Sequence, residues 1–185
     1  MILHTRIVAT PIGELALFAA GESLVGLEFH DAADRRDSLW RSFERHLGPL
    51  TTAPHPDPAG AATRLERYFA GELGALEEQP VEPHGTPFQR EVWRGLRRIP
   101  PGRTLRYAEL AAAIGRPAAV RAVGAANGAN PIALFVPCHR VIAANGTLWG
   151  YGGGLGRKRW LLAHEGARFV DPEAQGALAL HRSEG

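Results

Sequence analysis

The pattern of apolar residues changes its period once, across the segment EEQPVEPHGTP at 77–87. Before it, the runs RIVAT, ELALFAA and LVGLEFH alternate and are separated by the turn-like PIG and AGES, which predicts a meander of antiparallel strands. After it the spacing is helical. TPFQREVWRGLRRI places Phe88, Val92, Trp93, Leu96 and Ile99 on one face, with Thr86 as N-cap and Pro87 at the first helical position. That order predicts an α+β fold, with a small antiparallel sheet and one or two helices first and a mostly helical part after it. The prolines, the glycine and the change of composition put the domain boundary in 77–87. The expected division is a scaffold domain over 1–80, a second domain over 86–170, and a tail over 171–185.

Within the first part, 31–47 reads as a polar helical stretch and 62–70 as a short amphipathic helix. The stretch between them, GPLTTAPHPDPAGAA, holds four prolines and two glycines, which exclude regular structure. In the second part PPGR stops the first helix, 104–114 starts another, GRP turns the chain, and 118–127 forms a third. Two short helices joined at Gly115, the first over 107–114, match a helix-turn-helix. The third helix is made largely of Ala118, Ala119, Ala122, Gly124, Ala125 and Ala126, with Arg121 as the only long polar side chain before Asn127. Reading bases in the major groove takes several Arg, Asn or Gln side chains, so this surface reads little sequence. It either permits tight helix packing or lets backbone approach a narrow groove with a wedge side chain.

The charge distribution supports the second alternative. The formal net charge of +2 hides a division: 7 Arg against 13 acidic residues over 1–85, and 13 basic against 3 acidic over 86–170. A basic half either pairs with the acidic half of the same molecule or faces a polyanion, and nucleic acid is the leading partner. With 45% apolar residues the chain can bury a real core. Neither a long apolar span nor a signal-peptide layout opens it, so no membrane is expected and the location expected is cytoplasmic. One cysteine forms no internal disulfide and excludes sites that need several thiolates, and the eight histidines are scattered, so no metal is expected.

That cysteine, Cys138, sits in FVPCHRVIAANG. It is either an inert filler of the core or a nucleophile. Phe135, Val136 and Pro137 form an apolar approach, and His139 is the nearby side chain able to take a thiol proton near neutral pH. If the segment is a strand, Cys138 and His139 point to opposite faces, and a bridging water is then needed. Glu165, in WLLAHEG, is the candidate partner that fixes the tautomer of His139.

PCHRV at 137–141, preceded by ANP at 129–131 and followed by GYGGG at 150–154 and KRWLLAHEG at 158–166, resembles the active-site region of O6-alkylguanine-DNA alkyltransferases. The likeness is strongest to the bacterial constitutive type. It runs from TPFQREVW to LLAHEG and extends weakly to TPIGEL and YFAGEL in the first half. The resemblance implies a protein that binds duplex DNA, turns the alkylated guanine out of the helix, and transfers the alkyl group irreversibly to Cys138 without a cofactor, with O4-alkylthymine an open second substrate. It implies that His139 draws the thiol proton through a water, that Glu165 holds His139, that Tyr107 assists departure of guanine, and that Asn130 braces the turn before the reactive segment. Arg121 would fill the gap in the base stack, with Ala119, Ala122, Gly124 and Ala126 lying along the DNA. Cys138 and Val141 through their backbone, with Tyr151 and Gly152, would line the guanine pocket. Trp149 departs from the smaller residue usual at the pocket rim, which implies a narrower pocket that prefers methyl. A monomer is expected, with cooperative binding on DNA an open alternative.

Three other readings compete. A transcription regulator accounts for the helix-turn-helix and gives Cys138 no task, a related non-catalytic class that binds alkylated DNA without repairing it has another residue where this chain has Cys138, and a Cys-His hydrolase leaves Arg121 and the basic half unexplained.

Overall fold

Strand β1 (Ile2–Thr10) pairs antiparallel with β2 (Gly13–Ala20), and β2 with β3 (Ser23–Phe29), giving the expected meander in the computed structural model, which describes residues 1–171. The tail expected over 171–185 therefore lies, except for Asp171, outside the described residues. The stretch read as irregular contains a further strand, β4 (Thr51–Pro54), parallel to β1, so the sheet is mixed, with order β3-β2-β1-β4. Pro54 is tolerated because β4 is an edge strand and its missing N–H interrupts no ladder beyond it. Helix α1 (Ala33–Leu47) buries Leu39 and Phe43 against Leu3 and Val25 of the sheet. Helix α2 (Ala61–Phe69) turns Leu65 and Tyr68 toward the main core, and the Asp57 carboxylate accepts from the N–H of Ala62 at 2.8 Å near its start.

Helix α3 (Pro87–Leu96) begins with the expected cap. The N–H of Gln89 donates to Thr86 Oγ1 at 3.2 Å, and the N–H of Thr86 donates to Gln89 Oε1 at 2.8 Å. Such a cap contributes about 1 kcal/mol. Val92, Trp93, Leu96 and Ile99 are buried as expected, and Phe88 is partly buried. The next expectation needs correction at its start: Leu105–Arg106 is a short strand, β5, paired in parallel with β6 (Val141–Ile142), and α4 is confined to Tyr107–Ala113. A turn with Gly115 at φ +73° leads to α5 (Val120–Gly128), completing the helix pair. At Gly95 a Cβ would come within 2.6 Å of Ile114 Cγ2, so glycine lets the end of α4 close on α3. The chain ends its regular structure with α6 (Leu155–His164).

The two halves share one buried cluster, in which Leu27, Leu65 and Tyr68 meet Trp93, Val123, Val136 and Leu161. The N–H of Leu27 also donates to the Pro131 carbonyl at 2.9 Å, which ties the edge of the sheet to the segment leading to Cys138. Among the described residues no helix is long and apolar enough to cross a membrane.

Candidate active site

Residues 130–137 reverse direction in a tight loop with Leu134 at φ +67°, a costly conformation for a side chain that is only 1% exposed. Asn130 holds the loop closed: its Nδ2 donates to the Val136 carbonyl at 2.7 Å, and its Oδ1 accepts from the N–H of Ile132 at 3.0 Å. Cys138 follows, in a 3-10 turn with His139 and Arg140 rather than in a strand. The β5–β6 ladder places Tyr107, the first residue of α4, beside this turn.

A cavity of about 470 Å³ opens onto Cys138. Its lining comes from Tyr107, Gly124 and Asn127, from Asn130 and Ala133, from Trp149 through Gly153, and, in the first half, from Glu28, Phe29 and Arg35. Burial raises the Cys138 thiol, while a hydrogen bond from Asn130 and the charges of Lys158 and Arg35 pull it back toward ionisation. Burial, then the proximity of Cys138, also raises the Tyr107 phenol, so it stays protonated and able to donate. Tyr151 is raised for the same reasons. Lys158 is fully buried, with Nζ donating to the carbonyls of Val141 at 2.6 Å and Trp149 at 2.8 Å, and burial pushes its pKa down to about 8.

Behind Cys138 lies a buried ionic network centred on Glu165. Its Oε1 accepts from Tyr68 Oη at 2.8 Å, from His139 Nε2 at 3.0 Å and from Arg140 Nη2 at 2.9 Å, and its Oε2 accepts from Arg140 Nε at 2.9 Å. Burial alone would raise the Glu165 carboxyl, but the hydrogen bonds and charges of His139 and Arg140 outweigh it and hold the carboxyl well below the usual range. Burial lowers His139 against the opposing pull of Glu165, which favours the neutral ring. A carboxylate only accepts, so Nε2 carries the proton and Nδ1 is the basic nitrogen. Nδ1 is buried and finds no partner among the described residues, as does Tyr151 Oη, and the two rings are 6.5 Å apart.

The structure thus gathers Cys138, Tyr107, Asn130, Trp149, Tyr151 and Gly152 at one cavity, with His139 and Glu165 directly behind it. Val141 does not line the cavity; it is fully buried and offers its carbonyl to Lys158. Of the residues expected along DNA, Arg121 and Ala122 are exposed, Ala119 and Gly124 partly so, and Ala126 is turned inward. Its carbonyl accepts from the Trp93 indole at 2.8 Å, because its place on α5 faces α3. Tyr68, Arg140, Lys158, Asn127, Glu28 and Arg35 were not among the expected site residues. Two of them carried a signal, Arg140 as part of PCHRV and Lys158 as part of KRWLLAHEG and the single lysine of an arginine-rich chain. Among the described residues no three His, Cys, Asp or Glu side chains group to hold a metal.

Comparison with known proteins matches two family models: 6-O-methylguanine DNA methyltransferase, ribonuclease-like domain, over residues 3–83, and 6-O-methylguanine DNA methyltransferase, DNA binding domain, over residues 87–167. A methylated-DNA--protein-cysteine methyltransferase of Salmonella typhimurium is 49% identical over 160 residues, which are 86% of this chain and 93% of the relative. One from Mycobacterium tuberculosis is 45% identical over 170 residues, 90% of this chain and 94% of the relative. The crystal structure of Mycobacterium tuberculosis OGT in complex with DNA superposes with a TM-score of 0.74 at 45% identity, covering 88% of this chain and 92% of that one. Matches that run almost end to end through both halves, at this level of identity, place the chain in the 6-O-methylguanine DNA methyltransferase family.

Proposed function

We propose that the protein repairs DNA by moving the alkyl group of O6-alkylguanine onto Cys138 in a single, irreversible turnover. The observation that carries this reading is a lone thiol at the floor of a cavity large enough for a base, backed by a buried His-Glu pair and faced by a protonated tyrosine. Family membership and a relative solved in complex with DNA support DNA as the partner.

In this reading the exposed face of α5, with Ala119, Ala122 and Gly124, approaches the minor groove and Arg121 occupies the gap left by the extruded base. Extrusion costs a few kcal/mol and less where the lesion has weakened pairing. The thiol proton passes through a water to His139 Nδ1, and Glu165 stabilises the imidazolium that results. The sulfur then bonds to the alkyl carbon as the carbon–O6 bond breaks, and its electron pair goes to guanine. Tyr107 donates a hydrogen bond to the departing base, and the proton taken from the thiol balances the one guanine regains. Asn130 holds the loop, and Tyr151 and Gly152 form the wall against the base. No cofactor enters the reaction. The thioether has no hydrolytic exit, so the protein is consumed. A thiol kept reduced suits the cytoplasm. The proposed division of labour places the chemistry in 86–170 and its support in 1–80.

Incubation with a duplex containing O6-methylguanine followed by mass spectrometry tests the function: one methyl group on Cys138 is expected, and an unmodified protein beside repaired or unrepaired DNA rejects it. His139 acts only while neutral, and burial sets its pKa below the ordinary histidine value of about 6.5. The single-turnover rate should therefore hold from neutral pH to below that value and fall only in stronger acid. A rate already halved at pH 7 contradicts the assignment. Trp149, 70% exposed at the cavity mouth, is proposed to narrow entry and favour methyl over benzyl. Trp149→Gly should raise benzyl transfer relative to methyl, whereas an unchanged ratio removes Trp149 from selectivity.

A further inference from the structure

The proposed chemistry uses residues of the second half, yet the first half closes one side of the cavity. Glu28 and Phe29 end β3, and Arg35 stands near the start of α1. Glu28 is 3% exposed; its Oε1 accepts from the N–H of Phe29 at 3.0 Å and its Oε2 from Arg35 Nε at 2.7 Å. Arg35 Nη1 reaches the carbonyl of Gly128, at the end of α5, at 3.3 Å. The same guanidinium lies over Gly152, where a Cβ would sit 2.5 Å from Cζ. One side chain thus touches the sheet, the end of the DNA-facing helix and the glycine-rich wall. The neighbouring seam is equally close: a Cβ on Gly153 would overlap the Phe29 ring, and Arg157 lies 4.3 Å above that ring while donating to the Gly153 carbonyl at 3.2 Å.

A buried carboxylate fixes a guanidinium in one orientation, so the remaining donors of the fork point where the fold sets them. The α5 carbonyl is an unsatisfied helix end, which a cation suits. The charge of Arg35 also favours the Cys138 thiolate, and that of Glu28 opposes it.

We propose that Arg35, locked by Glu28, is a positioning residue supplied by the first half: it sets the spacing between the end of α5 and the wall at 150–153, and it fixes a positive charge beside the reacting sulfur. The first half then shapes the reactive cavity as well as supporting it. The inference rests on reading the cavity as the alkylguanine site.

The test uses the full chain with Arg35→Ala and Arg35→Lys. Cys138 is the single cysteine, so the pH dependence of its alkylation by iodoacetamide without DNA reports one thiol. Arg35→Ala should move the midpoint to higher pH, a loss of thiolate at a given pH, because a cation that favours ionisation is gone while Glu28 stays. Arg35→Lys keeps the charge and should restore the midpoint. In single-turnover methyl transfer at saturating protein, the maximal rate should fall in Arg35→Ala by at least the factor by which its thiolate fraction falls, and recover only in part with lysine, which lacks the fork. A parental midpoint and maximal rate in Arg35→Ala overturn the proposal, as does a rate loss that follows only a drop in Tm and is equal for both variants. If the parent protein transfers no methyl group while the midpoint still moves, the reading of the site fails and the electrostatic role of Arg35 stands.

Discussion

Cys138→Ser is expected to leave DNA binding and folding intact while reducing methyl transfer by roughly a thousand-fold or more, the scale on which loss of an activated nucleophile acts. The site is built for a sulfur. Burial keeps the thiol protonated at rest, and Asn130, Lys158 and Arg35 lower the cost of ionising it, the step in which the proposed mechanism has His139 take the proton. A serine hydroxyl at the same place meets the same base and charges but ionises far less readily and is a harder nucleophile. The replacement removes little volume from a residue already 7% exposed, so a change in Tm beyond a few degrees is not expected. Disappearance of O6-methylguanine at the parental rate would falsify the assignment.

Arg140→Met should have the largest effect on stability. Arg140 is 2% exposed and gives two hydrogen bonds to Glu165 at 2.9 Å. Removing one partner of a buried pair leaves an uncompensated charge, at a cost of about 3–5 kcal/mol. For a chain of this size each kcal/mol moves Tm by about 2–4 °C, so a fall of roughly 6–20 °C is expected in thermal denaturation. Tyr68→Phe, which loses one hydrogen bond to the same carboxylate at 2.8 Å, should cost less, about 1.5–3 kcal/mol. Acid separates this ionic contribution from packing. The Glu165 pKa is depressed in the fold, so its contribution is complete above the ordinary carboxylate value of about 4.3 and drains as pH falls toward the folded value. The gap between Arg140→Met and the parent should therefore narrow in acid. A Tm within 2 °C of the parent at neutral pH would show that Glu165 does not depend on Arg140.

The features legible in the sequence are those set by near neighbours. Thr86, Pro87 and Gln89 announce the start of α3 within one turn, and the alternating runs announce three strands. The errors come from pairing at long range. TTAP becomes a strand only because β1 offers an edge 49 residues away in sequence, and Leu105–Arg106 leaves the helical pattern of TLRYAEL because Val141–Ile142 offers a partner. The site divides in the same way. Cys138, His139 and Asn130 are visible through their motifs, Tyr107 through the family resemblance, and Glu165 through the need of His139 for a partner. Tyr68, which reaches Glu165 across 97 positions, reads in its own helix as an ordinary apolar-face residue. Arg35 and Glu28 read as surface charges of the first half because nothing local points them at a cavity formed by the second.

The two-residue ladder between β5 and β6 ties the start of the helix pair to the sulfur-bearing turn. On the proposed function, a duplex seated on those helices meets the thiol at a depth set by the same ladder. Surveillance and chemistry would then share one coordinate, and an intact base would be met by a fully assembled reagent.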